Sequence, residues 1–589
     1  MVRWIDRAND YDDWYLDIET TGLDRFKDSI VGLGWGVGGL QAYIPFHYGA
    51  YKNGMEWERA LSHLGQAESY KHRKWFHNGV SFDIPFLSEH GWSLSGEFGD
   101  TYILSRLLNE HHGADLKGWV RDYLNIPAED FKEAFPSARI WEAPLLNQAY
   151  YGCHDVEYLQ LLKEYQMEHV KNAGLSKIVD LEFSLIPYIS SMNIEGVAVD
   201  LDYYEKAKEK VTEVFHRAEK ETALVWGEIN LNSPKQVLVK LKDFGINVES
   251  TNAKIMKEYR EESHEVDLLM KYKEIAKLKQ AFVDKYADNF HDKNGFRVFP
   301  TFNQVGTETG RFSCREPNLQ QLPKTKGAEF NLRGTFVPDE GHVMLAVDYS
   351  QQEMRIMAHL SKDEFLLKAY RENIDVHKLT ASLIFNKPME RVSSLERTLA
   401  KSVGFGIIYG ISEYGLARNI VDSDGKPLIT VEDGKKFIDK YFKSIKGVDT
   451  FINTTKQFAL DKGYTASMWG RKRRFPDLRV YKGKKYDFKY FKKEARGALR
   501  QAVNHVIQST AADMTKAALL GIVQDNRLTQ LGVRPRIQVH DELIFSIPKN
   551  NLDEARERVL DIMEHVMTLD IPLVAEATVY TRWGNSDEH

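Results

Sequence analysis

The sequence predicts a multidomain protein with α/β and α+β parts. Its 589 residues are too many for one hydrophobic core, so several domains are expected. Residues 14–46 alternate strand-like and turn-like stretches, and helical patterns then predominate to about residue 170, which is typical of an α/β domain that opens with a small sheet. Long amphipathic helical patterns fill residues 177–300. Strand-like runs return at Val343 and near the C-terminus, with further helices between them.

The composition is that of a soluble globular protein, with 43% hydrophobic and 28% charged residues. No apolar run of about 18 residues is present, so no membrane helix is expected, and the N-terminus lacks the apolar region of a secretory signal. Two cysteines, Cys153 and Cys314, are too few for a disulfide framework or a four-ligand zinc site, which fits a reducing cytoplasm. We expect a cytoplasmic monomer that makes no membrane contact.

One segment is strongly basic although the formal net charge is −6. Residues 471–500 hold 13 Lys and Arg against 3 Asp and Glu. A run of charge is usually a solvated face. Aromatic rings between the charges favour a surface that follows a nucleic-acid backbone and stacks on bases. The interleaved aromatic residues are Phe475, Tyr481, Tyr486, Phe488, Tyr490 and Phe491.

Acidic residues stand out in three separate segments of the first 155 residues. In YLDIETTGLD, Asp17 and Glu19 lie two apart on a predicted strand, so both side chains face the same side. Asp83 precedes an apolar run in FHNGVSFDIPF. In AYYGCHDVEYLQLLKEY, Tyr151 and Asp155 are four apart and share one face of a predicted helix. Taken singly, these could be unrelated surface features.

Together these residues suit a two-metal hydrolase. Two divalent cations about 3.5–4 Å apart need several carboxylates, and such a pair activates water and stabilises the leaving oxygen of a phosphodiester. Oxygen ligands without a Cys or His cluster favour Mg²⁺ or Mn²⁺. The order and spacing resemble the three motifs of the DEDDy proofreading exonucleases, which have an RNase H-like fold; Asn78 also fits the second motif. The resemblance implies catalytic Tyr151 beside four metal ligands, Asp17, Glu19, Asp83 and Asp155.

A second acidic pair lies in VHDELIF, residues 539–545. Apolar residues on both sides indicate two short strands joined by a tight turn that carries Asp541 and Glu542. A solvated hairpin turn is the simplest interpretation. In VMLAVDYSQQEM, however, Asp348 ends another predicted strand. Carboxylates on neighbouring strand ends can share a pair of metals.

A predicted helix in ERTLAKSVGFGIIYG carries a stripe that starts cationic and ends aromatic. Its members lie at i, i+4, i+8 and i+12: Arg397, Lys401, Phe405 and Tyr409. Amphipathic packing would require apolar residues throughout, so the two cations indicate an anion. A triphosphate at the cationic end and a stacked base at the aromatic end fit this order.

These segments resemble the DNA polymerase I-like family A DNA polymerases, which have a right-hand fold of palm, fingers and thumb. DYSQQEMRI matches that family's motif A, RTLAKSVGFGIIYG motif B and VHDE motif C. TETGRFSCREPNLQQLP, DVHKLTA and RQAVNHVIQSTAAD match further family stretches. With the exonuclease motifs, the resemblance covers nearly the whole chain. Val506, Ser509 and Gln352 depart from the family pattern but leave the acids intact.

The resemblance implies nucleotidyl transfer with two Mg²⁺ per active site, which Mn²⁺ can replace. Asp348, Asp541 and the Tyr349 carbonyl would bind the metals, while Glu542 flanks the site. Lys401 would also protonate pyrophosphate, and Glu353 would exclude a 2′-hydroxyl. The residues implied to bind dNTP are Glu353, His377, Arg397, Lys401, Phe405 and Tyr409.

The resemblance also implies primer-template DNA as a partner. Arg500, Asn504 and Gln508 lie on one helix face and, with Arg311, match positions that probe the minor groove at the primer end. Minor-groove acceptors are similar for all correct pairs, so such contacts test geometry without reading sequence. His540 would lie near the primer terminus.

The expected layout is an exonuclease domain at 1–172, thumb and connecting helices at 173–305, palm at 306–373 and 495–589, and fingers with the basic segment at 374–494. No 5′-nuclease is expected. This compact layout resembles phage replicative enzymes, so a role in phage DNA replication in the host cytoplasm is expected. The alternatives are a single-subunit RNA polymerase, a 3′-5′ exonuclease with an inactive polymerase half, and a non-catalytic scaffold.

Overall fold

The computed structural model describes residues 1–46, 55–64, 71–137, 139–260, 262–284, 286–293, 295–323, 331–408, 410–420, 428–484 and 491–584. In chain order the helices are α1 (Val2–Ala8), α2 (Trp57–Leu64), α3 (Asp83–Glu89), α4 (Thr101–Leu108), α5 (Leu116–Leu124), α6 (Phe131–Ala134), α7 (Leu145–Asn172), α8 (Ser176–Glu195), α9 (Leu201–Trp226), α10 (Pro234–Asp243), α11 (Ala253–Tyr259), α12 (His264–Lys279), α13 (Gln352–Ser361), α14 (Glu364–Arg371), α15 (Val376–Phe385), α16 (Ser394–Ile408), α17 (Glu413–Asn419), α18 (Val431–Ser444), α19 (Lys446–Lys462), α20 (Lys493–Gln524), α21 (Asn526–Gln530) and α22 (Leu552–His565).

The strands are β1 (Asp13–Thr20), β2 (Ile30–Val37), β3 (Leu40–Pro45), β4 (Arg73–Phe76), β5 (Phe98–Asp100), β6 (Val197–Val199), β7 (Phe290–Asp292), β8 (Phe296–Val298), β9 (Thr301–Asn303), β10 (Ser313–Arg315), β11 (Phe336–Val337), β12 (His342–Tyr349), β13 (Tyr464–Ala466), β14 (Lys472–Arg474), β15 (Arg534–Val539), β16 (Glu542–Pro548) and β17 (Ala575–Tyr580). Across the described part of the chain, no helix combines the length and the apolar character needed to cross a membrane.

The predicted N-terminal sheet has five strands in the order β3-β2-β1-β4-β5. Strand β1 lies antiparallel to β2 and parallel to β4. Helix α7 packs across β1, β2 and β3. A Cβ added to Gly34 would lie 2.7 Å from the Gly152 carbonyl oxygen, so glycine in β2 lets α7 approach the sheet closely. This close approach brings Tyr151 and Asp155 over β1.

The C-terminal sheet has the order β15-β16-β12-β17, and all its pairs are antiparallel. The predicted VHDELIF hairpin is confirmed: Val539 pairs with Glu542, so His540 and Asp541 form a two-residue turn. His540 has φ of +57°, the left-handed conformation that such tight turns favour. Helix α22 packs on this sheet, and α20 packs on both α13 and α22.

The amphipathic patterns predicted between the two sheets form helices. Helices α9 and α12 pack on each other, and a separate small core at one end of the pair surrounds the buried Trp226. Helices α15 and α16 form another packed pair. Asp115, Asp200 and Asp375 begin α5, α9 and α15 by accepting hydrogen bonds from first-turn N–H groups.

Four buried charges join α8, the turn before β14 and α20. We call Glu182, Arg471, Asp513 and Lys516 the buried ion cluster. Glu182 Oε1 accepts hydrogen bonds from Arg471 and from Lys516 Nζ, the latter at 2.5 Å. Arg471 Nε donates to Asp513 Oδ1 at 2.8 Å. Burial alone would raise the pKa of Glu182, but Lys516 and Arg471 hold that pKa below its ordinary value.

The first arginines of the basic segment face inward, in contrast to the predicted DNA-tracking surface. Arg471 and Arg473 are buried, and Arg473 pairs with Glu308. Arg474 pairs with Glu110, which follows α4 of the N-terminal region. These arginines therefore connect parts of the protein, and the prediction was wrong for them because a charge run indicates composition but not direction.

The described aromatic rings of this segment are also packed. Phe475 and Phe491 are buried, and Tyr481 stacks on Phe491 with ring centres 4.4 Å apart. They join a small core with α19 and α20. Tyr486, Phe488 and Tyr490 lie outside the described residues. The packed rings do not provide the stacking surface that the sequence pattern predicted.

Candidate active sites

Three carboxylates meet between β1 and α7. One ligand oxygen from each of Asp17, Glu19 and Asp155 lies within 4.8 Å of the other two. The period-two spacing of β1 directs Asp17 and Glu19 to the same face, and α7 carries Asp155 across that face. Among the described residues this is the one group of three or more His, Cys, Asp or Glu side chains close enough to hold an ion together.

Asp83 lies beside this group at the first position of α3. Its Oδ1 accepts a hydrogen bond from the backbone N–H of Ile18, the residue between Asp17 and Glu19, at 3.2 Å. Asp83 is buried and is not one of the three clustered carboxylates. The structure therefore brings all four predicted acids to one place, with Asp83 bonded to the β1 backbone.

The carboxyl groups of this site resist ionisation. Loss of water around them is the main cause that raises the pKa values of Asp17, Glu19 and Asp155, and repulsion by neighbouring carboxylates adds to it at Asp17 and Glu19. Burial raises the pKa of Asp83 to about 7. A crowded set of oxygen donors that ionises reluctantly fits a site for hard divalent cations, because bound cations would remove the repulsion.

Lys117 also belongs to this site, although the sequence patterns did not indicate it. It lies on α5, 34 residues before Tyr151. Its Nζ donates to the Tyr151 hydroxyl and, at 3.0 Å, to Asp155 Oδ2. No spacing rule relates it to the acids, because it reaches them from a separate helix. The weak signal in the sequence is an N-cap aspartate, Asp115, which starts a helix that carries this buried lysine.

A cleft with a volume of about 930 Å³ adjoins Tyr151 and Asp155. Its wall is rich in aromatic rings, including Phe135, Tyr150 and Tyr158. Tyr150 is exposed, and its ring lies 4.0 Å from that of His154. This volume is large enough to hold a nucleotide, and exposed rings can stack on a base.

The second predicted acidic pair lies at one end of the C-terminal sheet. Val347 pairs with Leu543, so Asp348 on β12 lies next to the start of β16 and its turn. Asp541 lies in that turn, and Asp348 is exposed. The register thus places Asp348, Asp541 and Glu542 at the same sheet end. The Tyr349 side chain points into the core, where its hydroxyl donates to the Met563 carbonyl at 2.9 Å.

Arg311 contacts two acids of this second site. Its Nη2 lies 2.8 Å from Glu353 Oε1 and 3.4 Å from Asp541 Oδ1. Glu353 is buried in the first turn of α13. Arg311 Nε is also buried and makes no hydrogen bond to a described residue. The Nη2 group of Arg311 thus lies between the two carboxylates.

The predicted cations of α16 face the start of α15. Arg397 Nε donates to Asp375 Oδ2 at 2.6 Å, and Lys401 is exposed one turn later. Burial lowers the pKa of His377 to about 4; Asp375 opposes this shift, while Lys401 and Arg397 add to it. His377 is therefore neutral at pH 7. Tyr409 and the Phe405 side chain lie outside what the structure describes.

The predicted DNA-contacting residues line one face of α20. Arg500 is exposed, and Asn504 and Gln508 are partly exposed at the next two turns. His540 is exposed in the β15–β16 turn. The departure at Gln352 has a structural reason: its buried amide donates to the Ala511 carbonyl at 3.1 Å and so ties α13 to α20.

Comparison with known protein families decides the family. The model described as DNA polymerase family A matches residues 201–585, which is more than half of the chain. The chain belongs to DNA polymerase family A. A second model, described as 3′-5′ exonuclease, matches residues 1–170. The polymerase match contains the site at the end of the C-terminal sheet. The exonuclease match contains the site between β1 and α7.

Curated relatives of this family A chain include bacterial DNA polymerases I. It is 31% identical to DNA polymerase I of Bacillus subtilis over 536 residues, which are 88% of this chain and 58% of that protein. It is 33% identical to the thermostable DNA polymerase I of Thermus aquaticus over 420 residues, 69% of this chain and 48% of the relative. The chain thus spans about half to two thirds of the length of such relatives.

A solved family structure has the same fold. It is the POL domain of Pol1 from M. smegmatis in complex with DNA primer-template and dNTP, with a TM-score of 0.84 and 25% identity. The match covers 99% of this chain and 98% of the solved chain. The fold of that solved chain therefore covers nearly all of this chain, including the N-terminal region.

Proposed function

We propose that this chain is a template-directed DNA polymerase that extends a primer 3′-hydroxyl with dNTPs and proofreads with a 3′-5′ exonuclease. The observation that carries the proposal is the match of two family models, each to a region with its own carboxylate site. The acids at the end of the C-terminal sheet would supply the negative charge that nucleotidyl transfer needs. The cations of α16 would supply the positive charge. Its partners would be primer-template DNA and dNTPs.

We propose that the polymerase site would bind two Mg²⁺ ions, which Mn²⁺ can replace. Asp348, Asp541 and the Tyr349 carbonyl would hold them, and all are hard oxygen donors. When bound, the cations lower the pKa of the primer 3′-hydroxyl and neutralise charge on the triphosphate. Glu542 follows the hairpin turn and adds a third carboxylate to this end of the sheet.

The nucleotide site is proposed on α15 and α16. Arg397 and Lys401 would bind the triphosphate, because Arg397 offers a fork of donors and Lys401 a compact ammonium. His377, neutral at pH 7, would donate one hydrogen bond without adding charge. Lys401 would protonate the departing pyrophosphate. Phe405 and Tyr409 would stack on the base and contact the sugar side.

The primer end would be held by the face of α20 and by neighbouring residues. Arg500, Asn504 and Gln508 would contact the minor groove, where acceptors are similar for every correct pair. Arg311 would join them, and His540 would lie near the terminus. Glu353 is buried under this region, so it would block a 2′-hydroxyl and select deoxyribonucleotides.

The exonuclease site would hydrolyse the terminal phosphodiester of a primer strand. Its acids, Asp17, Glu19, Asp83 and Asp155, would hold two divalent cations, and Tyr151 would orient the attacking water. The aromatic cleft beside Tyr151 would receive the unpaired 3′-terminal nucleotide. Proofreading follows when one primer end can reach both sites.

We further propose the domain layout of an exonuclease at 1–172, thumb at 173–305, palm at 306–373 and 495–589, and fingers at 374–494. A monomeric replicative enzyme of phage type, acting in the host cytoplasm, fits this layout. The alternative to be tested is a 3′-5′ exonuclease whose polymerase half binds DNA but does not extend a primer.

Primer extension on a primed template with Mg²⁺, with and without dNTPs, tests the proposal. Asp348→Ala should abolish extension and keep primer shortening, whereas Asp17→Ala should do the reverse. Asp553→Ala, at an exposed position on α22, is the matched control and should keep both activities. Shortening by the wild-type chain without extension would contradict the polymerase proposal and favour the alternative.

A further inference from the structure

We propose that Lys117 is a positioning residue of the exonuclease site, which fixes the Tyr151 hydroxyl and the Asp155 carboxylate against each other. The inference rests on the exonuclease function proposed above. It goes beyond the four acids and the tyrosine, because Lys117 adds a fixed positive charge to a site otherwise built from acids. Its role would be to aim two groups that act on the substrate and on the cations.

Lys117 is anchored for this role. It lies in the first turn of α5, which Asp115 caps, and α5 packs along α7. Only 9% of Lys117 is exposed. Its Nζ contacts both Tyr151 and Asp155 and lies 3.8 Å from the centre of the Tyr151 ring. A buried ammonium with two oxygen partners and an aromatic face has little freedom to move.

The direction of the hydrogen bonds defines what Lys117 does. An ammonium group has donors and no acceptor, so the Tyr151 oxygen must accept from Lys117. The Tyr151 proton is then directed to an acceptor on the other side, either Asp155 or a water or phosphate oxygen of the substrate. Lys117 thereby makes Tyr151 a donor with a set orientation.

The charge of Lys117 has a second effect, which separates this role from simple packing. The ammonium lies 3.0 Å from an Asp155 carboxylate oxygen and so opposes the repulsion among the clustered acids. Divalent cations would sit close to the same ammonium and be repelled by it. Removing the charge should therefore leave cation affinity unchanged or make it higher, even while catalysis is lost.

The test compares Lys117→Met and Lys117→Arg with the matched control Lys163→Met. Lys163 is a partly buried lysine on α7 that pairs with Asp13 at 2.9 Å, outside the carboxylate group. Three properties are measured in the same preparations: kcat and KM for degradation of a single-stranded oligonucleotide with Mg²⁺, Mn²⁺ binding by electron paramagnetic resonance, and primer extension.

Lys117→Met should lower kcat of degradation roughly 10–100-fold, as for other residues that orient metal-site ligands, with KM little changed. Mn²⁺ should bind as tightly or more tightly, and extension should stay at the wild-type rate. Lys117→Arg should recover part of kcat, and Lys163→Met should change none of these values. Adding Tyr151→Phe to Lys117→Met should cost little more than Tyr151→Phe alone, because both act through one hydroxyl.

Wild-type kcat in Lys117→Met would overturn the inference. Weaker Mn²⁺ binding in parallel with lost activity would also overturn it, since it would mean that the lysine only holds the fold of the site. Additive losses in the double variant would show that Lys117 does not act through Tyr151. If the wild-type chain does not degrade DNA, the exonuclease proposal itself fails, and the Mn²⁺ titration still tests the effect of the Lys117 charge.

Discussion

Substitution of Glu182 by Gln should destabilise the polymerase region strongly. In the buried ion cluster, Glu182 accepts from Arg471, from Lys516 at 2.5 Å and from Gln304 Nε2 at 2.8 Å. The substitution leaves two buried cations with a single carboxylate, Asp513. The nitrogen of the new amide can only donate hydrogen bonds, and it would lie next to these donor groups.

The structure bounds the size of the effect. Glu182 and Lys516 are fully buried, so water cannot take the place of the lost charge. Breaking a buried ion pair by removing one partner costs about 3–5 kcal/mol, because the remaining charge stays uncompensated. We therefore expect Glu182→Gln to lower the free energy of unfolding by roughly that amount.

Urea unfolding followed by tryptophan fluorescence measures this loss. Glu432→Gln, which removes an exposed partner of Lys436, is the matched control and should leave the free energy of unfolding nearly unchanged, because water screens an exposed pair. The double variant Glu182→Gln/Lys516→Met restores charge balance and should lose less than either single variant. A loss below about 1 kcal/mol for Glu182→Gln, or strictly additive losses in the double variant, would refute the argument.

Three further outcomes follow from the two sites. Asp17→Asn should abolish degradation but raise the thermal midpoint of the metal-free protein in EDTA, by roughly 2–4 °C per kcal/mol of relieved repulsion; a lower midpoint would contradict the crowding of acids described here. The pKa of Asp83, raised from 3.8 to about 7, means that its neutral carboxyl stabilises the metal-free fold below the ordinary pKa and that this contribution is lost as pH rises through about 7. Thermal melts in EDTA should accordingly show a lower midpoint at about pH 8 than at about pH 5, and Asp83→Asn should reduce the difference. Arg397→Met should raise KM for dNTPs roughly 10–100-fold, because hydrogen bonds to charged groups contribute about 1.5–3 kcal/mol, while oligonucleotide degradation stays unchanged; equal loss of both activities would indicate misfolding instead.

Several of the residues that sequence reasoning placed in the sites are related by local periodicity. Asp17 and Glu19 follow the period of a strand, and Tyr151 and Asp155 follow that of a helix. Asp541 was found because apolar runs on both sides predict a hairpin, which the register confirms. Family A membership and the 3′-5′ exonuclease region were likewise predicted from ordered motifs and are confirmed by the family models.

The residues that sequence reasoning missed are paired over long distances. Lys516 and Glu182 are 334 residues apart, and Arg471 and Glu182 are 289 apart. No local period relates such partners, so only the fold reveals them. The basic segment shows the same limit in another way. Its composition predicted an outward cationic face, but its first arginines contact acids that lie far away in the sequence.

The position of Arg311 links two binding events. In the protein alone, this guanidinium contacts both Glu353 and Asp541 and offsets part of their negative charge at the end of the C-terminal sheet. If Arg311 turns to the minor groove of a primer, it leaves these carboxylates with unbalanced negative charge. Under the proposed function, duplex binding would then strengthen cation binding, and by thermodynamic reciprocity cation binding would strengthen duplex binding by the same factor. Such cooperativity would assemble a charged catalytic centre mainly when a primer is present, and would leave the unbound enzyme largely unable to consume nucleotides.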